Sequence, residues 1–319
     1  MKKTVITFGD PNGISPEITI KALNFLDLPK DKVILITNKN ILNYYNEKFS
    51  LSLEKNYDIV EVPYNYDDIL PGKETEAAGE FAFRSIVQAC NLAVKGEIES
   101  IVTAPVSKNA MKMAGHNYSG QTEIIEQYVA QGNQKADMLF ICEDYSVLLL
   151  TRHIALKDVP EIITKQNIIE KIENLENSMQ MQFGLADPKI AICGLNPHCG
   201  ENGMFGDEEN NEIIPAIKEL RLRGINIQGP FAADALFLDC ASHKHHYDCY
   251  VAMYHDQGLI PIKLLDRNNC VNTTIGLNVI RTSPAHGTAF DIAGLNVANA
   301  ESMINAIKLA VNRESLFLK

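Results

Sequence analysis

The stretch Val147-Leu148-Leu149-Leu150-Thr151-Arg152-His153 decides the fold. Its apolar part is strand-sized and has no polar face, so it predicts a β-strand covered on both sides, as in a parallel sheet. Comparable runs predict strands over residues 4–8, 33–37, 58–62, 100–103, 138–142, 146–150, 189–193 and 249–253. Helix-period segments separate them. Phe83, Ile86, Val87, Cys90, Ala93 and Val94 share one helical face, closed at its C-terminal end by Gly96. Ile168, Ile172, Leu175 and Met179 mark a second helix, and Met303, Ile307, Ala310 and Val311 a third. This alternation predicts an α/β fold with a largely parallel sheet between helical layers.

Composition narrows the classes. The 319-residue chain carries 29 Lys plus Arg against 40 Asp plus Glu, a net charge of −11. Its length favours about two domains. No linker-like or repetitive tract stands out, and patterning is weakest over 64–74 and 239–248, so the chain is expected to cross between domains rather than join them as beads. The acidic balance argues against nucleic acid or a membrane surface as partner. A small anionic substrate stays open, because a few cations in one cleft reverse the local sign. No apolar run approaches the roughly 18–20 residues of a membrane span, and the N-terminus lacks the apolar core of a signal peptide. The seven scattered cysteines form no C-x-x-C pair, which fits reduced thiols and a cytoplasmic location.

In a parallel sheet, functional groups gather past the carboxyl ends of strands. His153, His198 and His255 each follow a predicted strand. Converging, they would suit a divalent metal with open positions; singly, each reads rather as an ordinary hydrogen-bonded histidine. The segment Ser242-His243-Lys244-His245-His246 reads as a solvated loop, and His116 as a turn residue. No G-x-G occurs, so the usual dinucleotide loop is absent, as is the phosphate-binding P-loop. Gly200, Gly203 and Gly206 make a glycine-spaced loop beside His198, which suits a ligand or a surface turn alike. Residues 9–17 read as a strand-to-helix turn with Ser15 as N-cap and Pro16 as first helical residue. Residues 281–294 read as a polar loop rich in donors, costly to bury without a ligand or backbone partner. Lys263 and Arg281 are candidate anion binders.

Six segments form an ordered set: Gly9-Asp10-Pro11-Asn12-Gly13-Ile14, Thr103-Ala104-Pro105, Gly120-Gln121-Thr122-Glu123, Gly194-Leu195-Asn196-Pro197-His198, Tyr254-His255-Asp256-Gln257-Gly258, and Arg281-Thr282-Ser283 through His286-Gly287-Thr288-Ala289. Over essentially the whole chain this set resembles the 4-hydroxythreonine-4-phosphate dehydrogenases of pyridoxal phosphate biosynthesis. The first and last segments are also similar to those of isopropylmalate and isocitrate dehydrogenases. The resemblance implies a two-domain α/β/α fold of that type, with a cleft between a domain of residues 1–118 plus 280–319 and one of residues 119–279. It implies His153, His198 and His255 as metal ligands, with zinc expected and magnesium or cobalt as alternatives, at a site completed across a homodimer interface. Gln121, Thr122, Lys263, Asn272 and Arg281 would contact a phosphorylated substrate. His286, Gly287, Thr288, Asp291 and Asn299 would lie near NAD or NADP.

The implied chemistry is oxidation of 4-phosphooxy-L-threonine to a β-keto acid that decarboxylates to 3-amino-2-oxopropyl phosphate. Asp256 and Lys263 are both candidates for taking the hydroxyl proton. Three positions depart from the family pattern. Gln121 stands for a usual histidine and cannot carry a positive charge; Ser15 stands for a glycine and Ala155 for a proline. Alternatives are a dehydrogenase of phosphorylated threonate or erythronate, a metal-dependent hydrolase or lyase without nicotinamide, and a non-catalytic binding protein.

Overall fold

The computed structural model describes residues 3–142, 145–242, 246–266 and 269–312. In chain order the elements begin with β1 (Lys3–Thr7), α1 (Ser15–Leu26), β2 (Val33–Thr37), α2 (Lys39–Phe49), β3 (Asp58–Glu61), α3 (Glu76–Val94), β4 (Ile98–Thr103), α4 (Lys108–Met113) and α5 (Gln121–Val129). Next come β5 (Asp137–Ile141), β6 (Ser146–Leu149), α6 (Val159–Ile162), α7 (Lys165–Phe183), β7 (Ile190–Cys193), α8 (Ile214–Leu222), β8 (Ile227–Phe231), α9 (Ala233–Ala241), β9 (Cys249–Ala252) and α10 (His255–Asp266). The chain then returns through β10 (Val271–Ile275), β11 (Ile280–Pro284) and α11 (Glu301–Asn312). Among the described residues no helix is long and apolar enough to cross a membrane.

Two compact units result, one of residues 1–136 with 271–312 and one built on residues 137–270. In the first, strands run β3-β2-β1-β4-β11-β10, parallel except for the β10–β11 pair. In the second they run β5-β6-β9-β7-β8, parallel except for β5–β6. All eight strands expected from the apolar runs are present within one or two residues. Residues 119–136 and 271–279, expected in the second domain, belong to the first unit, because α5 packs on α3 and β10 pairs with β11.

Three strands were not expected. β8 contains Gly229-Pro230, a turn signal in sequence, and sits at the edge of its unit's strand order, where proline is tolerated. β10 (VNTTI) and β11 (IRTSP) are polar in sequence yet mostly buried. Residues 281–284 are therefore strand rather than loop, and Thr282 Oγ1 donates to Ala306 O at 2.8 Å.

Helix α3 shows how the packing works. Its buried side extends beyond the expected face to Ala78, Ala82, Ser85, Ala89 and Leu92, while Val94 is exposed. Gly96 follows it with φ +70° and donates to Ala93 O at 2.9 Å. A Cβ on Gly79 would lie 2.0 Å from Ala110 O, so α3 and α4 meet backbone to side-chain position with no room for a methyl. In an unconstrained helix Gly→Ala would stabilise by about 1 kcal/mol. Here Gly79→Ala is expected to reverse that sign and cost about 1–3 kcal/mol, since backbone cannot rotate aside. Urea unfolding followed by circular dichroism checks this; an equal or raised midpoint would contradict the close approach.

Candidate active site

Within the second unit, β6, β9 and β7 are adjacent and parallel, so their carboxyl ends share one rim. His153 and His255 lie past two of these ends, with ring centroids 5.8 Å apart. His255 Nδ1 lies 2.7 Å from Asp256 Oδ1, the carboxylate–imidazole contact that leaves Nε2 as the nitrogen for a metal. Two imidazoles on one tetrahedral ion, with metal–nitrogen bonds of about 2.0–2.1 Å, bring their ring centroids to about 5 Å, so the pair needs only a small approach to share a divalent metal. Among the described residues no group of three or more His, Cys, Asp or Glu side chains is arranged to hold one, and His198 lies outside the pair.

His198 sits instead on an unusual loop. His198, Cys199, Gly200, Glu201 and Asn202 all have left-handed backbone, with φ of 52°, 55°, 77°, 43° and 56°. Left-handed conformations cost non-glycine residues roughly 1–2 kcal/mol each, so such a run persists only where its surroundings hold it. Glu209, almost fully buried, supplies that hold. Its Oε1 accepts from Leu195 N and Asn196 N, both at 2.8 Å, and its Oε2 accepts from Asn196 Nδ2 at 3.0 Å. A Cβ on Gly194 or Gly200 would come within 3.0 or 2.8 Å of the same carboxylate, so the glycines make room for it.

Asp256 and Lys263, seven residues apart, fall on one exposed face of α10. Arg152, beside His153, has a buried Nη1 without a partner among the described residues, and the sequence reading passed over it. His243 and His245 lie outside the described residues. His246 is exposed, with Nδ1 2.6 Å from Asp239 Oδ1. His116 stacks on Phe83 at 3.6 Å and meets Glu80 at 2.6 Å, so it is a packed, bonded residue rather than a bare turn.

The first unit holds the other candidates. Arg281 is buried on β11, where its Nε donates to Thr103 Oγ1 at 2.8 Å. Burial pulls its pKa down to about 10, opposed by the charge of Glu123, so it remains a cation at neutral pH. Thr274 faces Arg281 across the antiparallel pair, and its Oγ1 lies 3.4 Å from Thr122 Oγ1. Gln121 Nε2 donates to Ala104 O at 3.3 Å. Gln121 Oε1 and Asn272 Oδ1 are buried and lack partners among the described residues. A buried cation beside hydroxyls suits an anionic group, while the orphaned amide oxygens suit a group that donates hydrogen bonds.

The turn after β1 underlies the second group. Asp10 N and Ser15 Oγ both donate to Pro105 O, at 2.9 and 2.6 Å, joining the first two motifs. Ser15 is thus the first residue of α1 rather than its N-cap, which is Ile14. Ile14 N donates to Thr288 O at 2.9 Å, and a Cβ on Gly13 would lie 2.9 Å from Thr288 Cβ, so the loop from His286 to Asp291 rests on this turn. His286, Gly287 and Asp291 are exposed and Thr288 half-buried. Asn299 Oδ1 accepts from Glu301 N at 2.8 Å, so its acceptor serves the start of α11. Asp10 is fully buried; desolvation pushes its pKa up to about 6 against the lowering effect of the Asn12, Ser107 and Gly13 amides.

A family model described as "Pyridoxal phosphate biosynthetic protein PdxA" matches residues 2–310. The chain is 39% identical over 321 residues to a 4-hydroxythreonine-4-phosphate dehydrogenase of Sulfurihydrogenibium sp. (strain YO3AOP1), covering 98% of each. It is 36% identical over 326 residues to the D-threonate 4-phosphate dehydrogenase of Salmonella typhimurium (strain LT2), covering 97% of this chain and 98% of the relative. A crystal structure of the 4-hydroxythreonine-4-phosphate dehydrogenase from Klebsiella pneumoniae is similar with a TM-score of 0.86 at 36% identity, over 98% of this chain and all of that one.

Two outcomes follow from this geometry. Glu209→Ala would take the acceptor from two half-buried amides, Leu195 N and Asn196 N, and is expected to cost about 2–3 kcal/mol, read as a lower thermal midpoint; an unchanged midpoint would contradict the carboxylate's role. Asp10 binds its proton more tightly folded than unfolded, so stability should fall as pH rises from about 4 to about 6, by up to about 3 kcal/mol. Asp10→Asn keeps the acceptor and should flatten that slope in urea titrations. The same slope in both proteins would contradict the assignment.

Proposed function

Since the chain belongs to the PdxA family of pyridoxal phosphate biosynthetic proteins, we propose that it is an NAD- or NADP-dependent dehydrogenase of 4-phosphooxy-L-threonine. Oxidation of the secondary hydroxyl passes hydride to the nicotinamide and a proton to a base. The β-keto acid formed then loses CO2 to leave 3-amino-2-oxopropyl phosphate. The observation that carries this reading is buried Arg281 amid Thr103, Thr122 and Thr274, which suits the phosphate or carboxylate of such a substrate.

Each group of residues has a part. Arg281 and Thr122 hold the anionic end, with Gln121 and Asn272 offering acceptors to the hydroxyl or ammonium hydrogens of the substrate. His153, His255 and His198 would hold the divalent metal, zinc first among the candidates, with magnesium or cobalt as alternatives. When bound, that ion supplies Lewis acidity, easing loss of the hydroxyl proton and taking up negative charge as CO2 leaves. Asp256 orients the His255 ring through its 2.7 Å contact, and Asp256 or Lys263 accepts the proton. Where Asp256 is that base, Lys263 is the second candidate anion binder. His286, Gly287, Thr288, Asp291 and Asn299 would bind the nicotinamide nucleotide, on a loop held by the Ile14–Thr288 bond. The proposal includes a homodimer that completes the site, as the family resemblance implies.

A second reading is a dehydrogenase of phosphorylated D-threonate, favoured by the Salmonella relative and by glutamine at position 121. Both substrates carry phosphate and both use Arg281. A panel of phosphorylated hydroxy acids with NAD and NADP, monitored for reduced nicotinamide and CO2 together, separates the readings. The proposal expects both products from 4-phosphooxy-L-threonine. Turnover with phosphothreonate alone favours the second reading, and reduction without CO2 removes the decarboxylation step. No reduction with any substrate contradicts a dehydrogenase.

A further inference from the structure

Just past the end of β9, the Met253 backbone is bonded through both its N–H and its carbonyl. Its carbonyl accepts from Thr151 Oγ1 at 2.7 Å and from Thr151 N at 3.2 Å. Its N–H donates to Gln257 Oε1 at 2.7 Å. Nε2 of the same glutamine donates to Gly194 O at 2.9 Å, while Gly194 N donates to Phe231 O at 2.8 Å. A line of hydrogen bonds therefore runs from Thr151 through Met253 and Gln257 to Gly194. Each backbone member shortly precedes a histidine: His153 follows Thr151 by two residues, His255 follows Met253 by two, and His198 follows Gly194 by four.

Glutamine is suited to this place because one side chain offers an acceptor to an N–H and a donor to a carbonyl on the neighbouring strand. The partners fix which way its amide points. Gly258 brings it within reach: a Cβ there would lie 2.8 Å from Leu149 Cδ2 and 3.0 Å from Ala252 Cβ, so the first turn of α10 lies directly on β6 and β9. Gln257 itself meets backbone on both sides.

We infer that Gln257 is a positioning residue, one that fixes the base of the His198 loop against the His153–His255 pair and thereby sets the divalent-metal affinity of this rim. The inference rests on the metal reading proposed above. Groups behind metal ligands typically change metal affinity by about 10–100-fold when altered.

The test uses the full-length apo protein, titrated with Co2+ and followed by its visible absorption against a competing chelator. Gln257→Glu keeps the bond from Met253 N and sets a carboxylate against Gly194 O; Gln257→Met removes both bonds. Co2+ affinity is expected to fall about tenfold or more in Gln257→Glu and further in Gln257→Met, with circular dichroism unchanged. Affinities equal to wild type in both variants would overturn the inference. Hydrogen exchange without metal is run on the same three proteins, and faster exchange across residues 194–206 is expected in both variants. If the wild type binds no Co2+, the metal reading fails, and exchange alone judges Gln257: unchanged exchange at 194–206 in Gln257→Met overturns its positioning role.

Discussion

The doubly bonded Met253 backbone is the constraint on which the histidine-bearing rim depends. Parallel pairing alone sets β6, β9 and β7 side by side, but strand ends fray unless their last peptides find partners. Thr151 and Gln257 supply those partners from the flanking segments, and each bond lies within two to four residues of a histidine. A single neutral hydrogen bond contributes only about 1 kcal/mol net. The value of this set is geometric, since it leaves His153 and His255 few ways to move apart.

The loop that carries His198 is held by different means. Glu209 gathers two amides and a side-chain amide around one carboxylate, and the left-handed run that follows is tolerated because the chain entering it is fixed. In the first unit the equivalent investment is Arg281. Burying a guanidinium is costly unless hydrogen bonds and opposite charge offset it, and the lowered pKa records that cost. Thr103 and Glu123 offset part of it, and a bound anion would offset more. A protein of net charge −11 thus keeps a cation where an anionic substrate is proposed to bind.

Much of this was legible in the chain. The strands β1 to β7 and β9 announced themselves by their apolar runs, uninterrupted where both faces are buried, as in Val147-Leu148-Leu149, and short in β3, where only Ile59 and Val60 are half-buried. Strand-end histidines were legible for the same reason: once the strands are placed, so is the rim. β10 and β11 were not, because polar side chains such as Thr274, Arg281 and Thr282 are buried there against partners that sequence does not reveal. Glu209 and Gln257 were invisible as functional residues for a related reason. Their partners, Asn196 and Gly194, lie 13 and 63 positions away, and neither spacing follows a helix or strand period. Ser15 misled for the opposite reason, being a good local cap whose hydroxyl found Pro105 O instead.

The account turns on whether imidazoles of this rim bind a divalent metal. X-ray absorption spectroscopy at the zinc edge, on the full-length protein loaded with one equivalent of Zn2+, reads the ligands directly. The account predicts the multiple-scattering pattern of coordinated imidazole, diminished in His153→Ala and in His255→Ala. Coordination by oxygen alone, or a spectrum identical in all three proteins, would contradict it.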